Sequence, residues 1–74
     1  MQVYVKAVAK DSKLTWPSGN YISNYEKFNI KCIICDENLG LFKDKYKLNL
    51  QGSRENINSF ISYLRMNNFK IEKY

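Results

Sequence analysis

The run "KYKLNLQGSRENINSFISYLRMNNFKIEKY", residues 45–74, decides how this chain folds. In its centre Ile57, Phe60, Ile61 and Leu64 recur at i, i+3, i+4 and i+7, which lays large apolar side chains along one stripe of a helix. Ser53, after Gly52, is a residue type that caps helix N-termini, and Glu55 sits in the first turn, where the helix dipole favours an acid. Asn67 and Asn68 can supply a left-handed stop. The spacing predicts a helix over 53–67. On either side the period falls to two: Tyr46, Leu48 and Leu50 alternate with Lys45, Lys47 and Asn49, and Phe69 and Ile71 repeat the pattern in "FKIEKY". Strand, helix and strand therefore follow one another, with one apolar face each.

Working outward, Val3, Val5, Ala7 and Ala9 alternate with Tyr4, Lys6, Val8 and Lys10, a first strand. "FNIKCIIC", residues 28–35, is rich in β-branched residues and is followed by the turn-forming "DEN", which reads as another strand and its turn. Between them lies "DSKLTWPSGNYISNYEK", residues 11–27. Pro17 disfavours helix at Trp16, and Gly19 and Asn20 tolerate positive φ, so "WPSGN" predicts a turn. Tyr21, Tyr25 and Phe28 then follow helical spacing, which predicts a short helix over about 20–27. The order becomes β-α-β-β-α-β. With right-handed crossovers this is the α+β, ferredoxin-like split βαβ arrangement, a four-stranded antiparallel sheet with two helices on one face. Without the first helix, the fallback is a curved sheet packed on one long helix. The segment from Tyr46 to Tyr74 resembles the ββαβ half of small ferredoxin-like modules, ACT-like ones among them.

At 74 residues the chain is expected to form one domain, residues 1–74, with a thin core, because a domain of this size buries only about 60% of its unfolded surface. No repeat, linker or low-complexity tract divides it. Its apolar runs fall short of the roughly 18 residues a membrane helix needs, and "MQVYVKAVAK" alternates instead of forming a signal sequence. Two cysteines are too few to staple a small secreted scaffold, so the expectation is a soluble, cytoplasmic protein. The net charge of +5 is uneven, with seven bases against three acids in residues 38–74. Such a balance favours acidic partners and also keeps a small protein soluble. Ten of the twelve bases are Lys, and Asn, Ile and Tyr are frequent, as AT-rich codons would produce.

Both cysteines, Cys32 and Cys35, stand in a C-x-x-C spacing. A structural zinc site needs four N or S ligands, and the chain has no His and no third Cys. A redox pair wants its first thiol at a helix N-terminus, whereas these thiols sit in a β-branched run. Residues three apart in a regular strand point to opposite faces, so Cys32 is expected in the core with Ile30 and Ile34, and Cys35 on the far side with Ile33. Other chemistry is excluded by inventory. Lack of His removes the usual base near neutral pH and any Ser-His or Cys-His dyad. Three scattered glycines make no phosphate-cradling loop, and the acids fall mostly in turns and at element ends. The expectation is a non-enzyme with no metal and no cofactor.

Surface is what remains. If the helices cover the face bearing Val3, Val5, Ile30, Leu48 and Ile71, the open face presents Tyr4, Lys6, Val8, Lys31, Ile33, Lys45, Lys47, Lys70 and Tyr74. Lysines interleaved with an aromatic resemble the way RNA-recognition modules use the same face, although Tyr46, the ring on the third strand, points inward by parity. Val8 and Ile33 there would permit a sheet-to-sheet homodimer. A second candidate surface is the outward ridge of the long helix, Glu55, Ser59, Ser62 and Met66. The third is the ring-rich segment around Trp16, Tyr21 and Tyr25, residue types common at binding hot spots. The candidate binding residues are therefore Tyr4, Lys6, Lys31, Lys45, Lys47, Trp16 and Tyr21. They suit a small basic accessory or inhibitory protein, of phage or mobile-element type, that engages an acidic surface of a host protein or a nucleic acid. The alternative is an ACT-like dimeric regulatory module that binds a small molecule.

Overall fold

A computed structural model describes residues 1–10, 17–40 and 43–74. Strand β1 is Gln2–Ala9, helix α1 is Ser18–Ser23 and continues as a 3-10 segment over Asn24–Phe28, β2 is Lys31–Leu39, β3 is Asp44–Gln51, α2 is Arg54–Met66 and β4 is Phe69–Lys73. The strands form one sheet in the order β2-β3-β1-β4, and every neighbouring pair is antiparallel. With both helices on one side, this is the ferredoxin-like arrangement that the alternation of periods predicts.

The core lies between helices and sheet. Val5, Ala7 and Ala9 of β1, Tyr46, Leu48 and Leu50 of β3, and Phe69 and Ile71 of β4 are buried there. From α2 come Ile57, Phe60, Ile61 and Leu64, the four residues of the stripe. The alanines of β1 face the larger Tyr46, Ile71 and Phe69 across the sheet, so small residues in the central strand leave room for rings. Rings from the helical segments pack above the sheet: Phe28 edge-on against Phe60 at 5.4 Å, and Tyr21 against Phe69 of β4 at 6.0 Å.

Local signals set the ends of α2. Ser53 is its N-cap, and the Asn56 amide donates to the Ser53 hydroxyl at 3.1 Å. Asn68 takes the left-handed conformation (φ 68°) after the last turn. Before α2, Gly52 has φ 154°, and a Cβ there would lie 2.9 Å from Ile30 Cγ2. Glycine is required at this corner, because β3 must turn into α2 while passing against the start of β2.

Two segments differ from the sequence reading. "WPSGN" is not a free turn beyond Pro17: Ser18, Gly19 and Asn20 already belong to α1. Pro17 carries φ −52°, and its carbonyl accepts from the Asn20 amide at 2.9 Å, so its fixed φ starts the helix instead of preceding a loop. Ser18 is buried, donating to Asp44 Oδ2 at 2.5 Å and lying 2.6 Å from the Tyr46 hydroxyl, which ties this short helix to β3. The second difference is β2, which begins after Asn29 (φ 55°) and runs through "DEN" to Leu39. A register shift between Ile34 and Asp36 leaves Cys35 as an extra residue, a β-bulge. Pairing then resumes with Asp36 opposite Lys47, where an acid faces a base and favours continued strand over a turn, and continues with Asn38 opposite Lys45.

Candidate functional site

The register assembles the open face row by row, from β2 through β3 and β1 to β4. Lys31, Gln51 and Gln2 form the first row; Ile33, Asn49 and Tyr4 the second; Asp36, Lys47, Lys6 and Glu72 the third; Asn38, Lys45, Val8 and Lys70 the fourth. Lysines 6, 31, 45 and 47 and Tyr4 thus share one surface, and Lys6 and Lys47 stand directly opposite each other on the two central strands. Like charges in that relation repel by up to about 1 kcal/mol. Their lateral acids relieve this only in part, since Glu72 is drawn to Lys70 at 3.2 Å.

An aromatic group completes the arrangement. Tyr74, just beyond β4, donates its backbone amide to the Tyr4 carbonyl at 3.0 Å. Its ring reaches over β1: Lys6 Nζ lies 5.6 Å and Lys47 Nζ 5.8 Å from the ring centroid, and the Tyr4 ring is 6.1 Å away. These distances are within the range of cation–π attraction. Tyr4 and Tyr74 remain 43% and 55% exposed, so both rings offer faces to a ligand. The Tyr4 hydroxyl is held by Gln2 Nε2 at 2.8 Å.

Beside Tyr4 on the neighbouring strand lies a residue that sequence reasoning missed. Asn49 is only 4% exposed, and its Nδ2 has no hydrogen-bond partner, while its Oδ1 accepts from Gln51 Nε2 at 2.6 Å. Alternation places Asn49 among the lysines, where a polar residue signals nothing unusual. Its burial comes from neighbours on other strands, Ile33 and Tyr4, and only the register reveals them.

The remaining candidates separate from this face. Tyr21 is 7% exposed and belongs to the core, with its ring 6.4 Å from Tyr63 and 6.0 Å from Phe69. It is withdrawn as a surface residue, because the earlier start of α1 turns it inward. Trp16 lies outside the described residues. Val8 and Ile33 stand in different rows with the lysine pair's row between them, so they make no continuous apolar patch for a sheet-to-sheet contact. The outer ridge of α2 is exposed, Met66 by 84%, and a shallow depression beside it is lined by Ser59, Ser62 and Tyr63 without a charged group.

The two thiols of the C-x-x-C lie in different environments. Both thiols are free, and no cluster of three or more His, Cys, Asp or Glu occurs among the described residues. Burial, with a smaller effect of Cys35, pushes the Cys32 thiol up to about 11, away from the thiolate that metals and disulfide exchange need. Cys35 is exposed at the bulge, its sulfur 3.8 Å from the Ile33 carbonyl. Regular alternation ends there, so strand parity does not fix its side. Ile34, expected in the core, is 47% exposed because the helices do not cover that end of β2.

The fold and the face together define a class, a small α+β module of ferredoxin-like topology with an uncovered, basic sheet face. Among eight solved chains that match in fold, one is the crystal structure of the C-terminal domain of an ABC transporter ATP-binding protein from Enterococcus faecalis. It superposes with a TM-score of 0.74 at 19% identity, covering 96% of this chain and 81% of that one. The likeness is one of fold. No family model and no curated protein matches the sequence. No helix among the described residues is long and apolar enough to cross a membrane.

Proposed function

We propose that this protein is a non-enzymatic binding module whose open sheet face takes single-stranded nucleic acid. One observation carries the reading: Lys6 and Lys47 are directly opposed on the central strands and share the exposed Tyr74 ring, with the Tyr4 ring beside it. The pair is mutually repulsive in the free protein, and an anionic group between the two removes that repulsion. A phosphate has that charge, and the base attached to it has the planar face that tyrosines stack on, at about 1–3 kcal/mol per base. Lys31, Lys45 and Lys70 extend the positive surface along the same face, where only Asp36 and Glu72 oppose them in the register. In this reading the protein acts as an accessory by occupying a strand of nucleic acid, not by transforming it.

The test is fluorescence anisotropy with a labelled ten-nucleotide oligomer across a salt series. The expected result is binding with a dissociation constant of about 1–100 μM, whose logarithm rises linearly with log salt. The pair Lys6→Gln and Lys47→Gln should flatten that slope and weaken binding regardless of sequence. Undiminished binding by the double variant overturns the reading. Capture of an acidic protein that competes for the same two lysines, without oligomer binding, assigns the face to a protein partner instead. A thermal shift with free amino acids or mononucleotides, and none with oligomers, points to the regulatory alternative.

A further inference from the structure

Asn49 sits in the middle of the proposed binding face, in the row next to the Lys6–Lys47 pair, and is one of two polar residues buried among the described ones. The other, Ser18, is hydrogen-bonded to Asp44 and lies beside the Tyr46 hydroxyl. Asn49 is half satisfied: Gln51 donates to its oxygen, and its amide nitrogen has no partner. Buried polar groups nearly always find partners, and an unmet donor weakens the fold unless another function retains it. An apolar residue at 49 would pack between Ile33 and Tyr4 without that penalty.

We infer that Asn49 is a specificity residue, donating from Nδ2 to a carbonyl oxygen on a base stacked at Tyr4 and Tyr74. The inference rests on the nucleic-acid reading above and sharpens it. An asparagine recognises adenine by using both halves of its amide, accepting from the exocyclic amine and donating to the adjacent ring nitrogen. Gln51 already donates to that oxygen, so an adenine amine would have to share it. The group left wholly unpaired is the donor, which suits thymine or uracil, whose carbonyl oxygens accept from Nδ2 without needing the Asn49 oxygen. The donor is covered in the free protein, so a side chain above it must move. Tyr4 stands beside Asn49 in the register and is 43% exposed, and it is the ring placed to shift and uncover the donor.

The experiment compares dT10 with dA10 on the intact protein, its Asn49→Ala variant and its Gln51→Ala variant, with circular dichroism melts to confirm folding. The inference expects Asn49→Ala to reduce the preference for dT10 over dA10 by about fivefold, the scale of one hydrogen bond, with the salt slope unchanged. Gln51→Ala frees the Asn49 acceptor and should reduce the preference differently, by improving dA10 binding. Because Gln51→Ala leaves Asn49 in place, it tests the idea even if the first variant misfolds. An unaltered preference in both variants, with binding intact, overturns the role of Asn49 alone. Failure of the parent protein to bind either oligomer overturns the nucleic-acid reading as well.

Discussion

Cys32 and Cys35 are three positions apart and live in different environments, one half-buried beside the core and one exposed at a bulge. Their chemistry should diverge accordingly. A thiol raised from 9.0 to about 11 has, near pH 8, a thiolate fraction about a hundredfold below that of an ordinary thiol. Iodoacetamide at pH 8 should therefore modify the exposed Cys35 quickly and the half-buried Cys32 far more slowly; similar rates would show that Cys32 is not shielded. Linkage gives the pH sign. Because folding raises this pKa, its contribution to stability is complete below pH 9 and is lost as pH climbs towards 11. Tyr46, raised above 10.0 by burial, adds a loss of the same sign at higher pH. The melting temperature should fall across pH 9–11, and less steeply in Cys32→Val. The sequence disclosed Cys32's inward side through its place after Ile30, but not the bulge at Cys35, since an extra residue leaves no mark on a run of β-branched side chains.

Among the elements, those with strict periods were legible: α2 from its stripe, β1, β3 and β4 from alternation. Less was legible where a tertiary contact overrode local preference. Alpha1 lacks a side-chain cap and an acid in its first turn, and Ser18's bonds to β3 hold it in place. Such bonds cannot be read from "WPSGN", because their partners come 26 and 28 residues later. The same cause buried Tyr21. Of the candidate site, the lysines and Tyr4 were legible by parity. Tyr74's reach across β1 and Asn49's burial depend on register and side-chain path, which alternation does not encode. The β3–α2 corner offers an element-scale test. Gly52→Ala sets a Cβ 2.9 Å from Ile30 Cγ2 at φ 154°, and should cost about 1–3 kcal/mol in chemical denaturation. A loss below about 0.5 kcal/mol would mean that the corner relaxes.

At the scale of the whole molecule, one face supplies stability and the other is left to charge. Apolar side chains of both helices and of β1, β3 and β4 meet on the covered side, while the net charge of +5 is expressed partly through five lysines on the uncovered one. Lys6→Glu should then separate stability from binding. It places an acid opposite Lys47 on one side and opposite Glu72 on the other, so gain and loss offset and stability should change by less than about 0.5 kcal/mol, while oligomer binding is abolished. A larger loss at low salt would show that the Lys6–Tyr74 and Lys6–Glu72 contacts outweigh the Lys6–Lys47 repulsion.

The bulge at Cys35 also bears on what the open rim of the sheet can pair with. Strand β2 forms a rim of the sheet, and "IKCII", residues 30–34, is the kind of β-branched, weakly charged run that templates cross-β stacking. The extra residue bends the strand as that run ends, and Asp36 and Glu37 follow at once, both exposed. Together they act as gatekeepers: a second chain pairing along the rim loses register at Cys35 and meets two carboxylates beyond it. An irregularity that defeats the reading of β2 as a simple strand thus makes its rim a poorer template for edge-to-edge pairing.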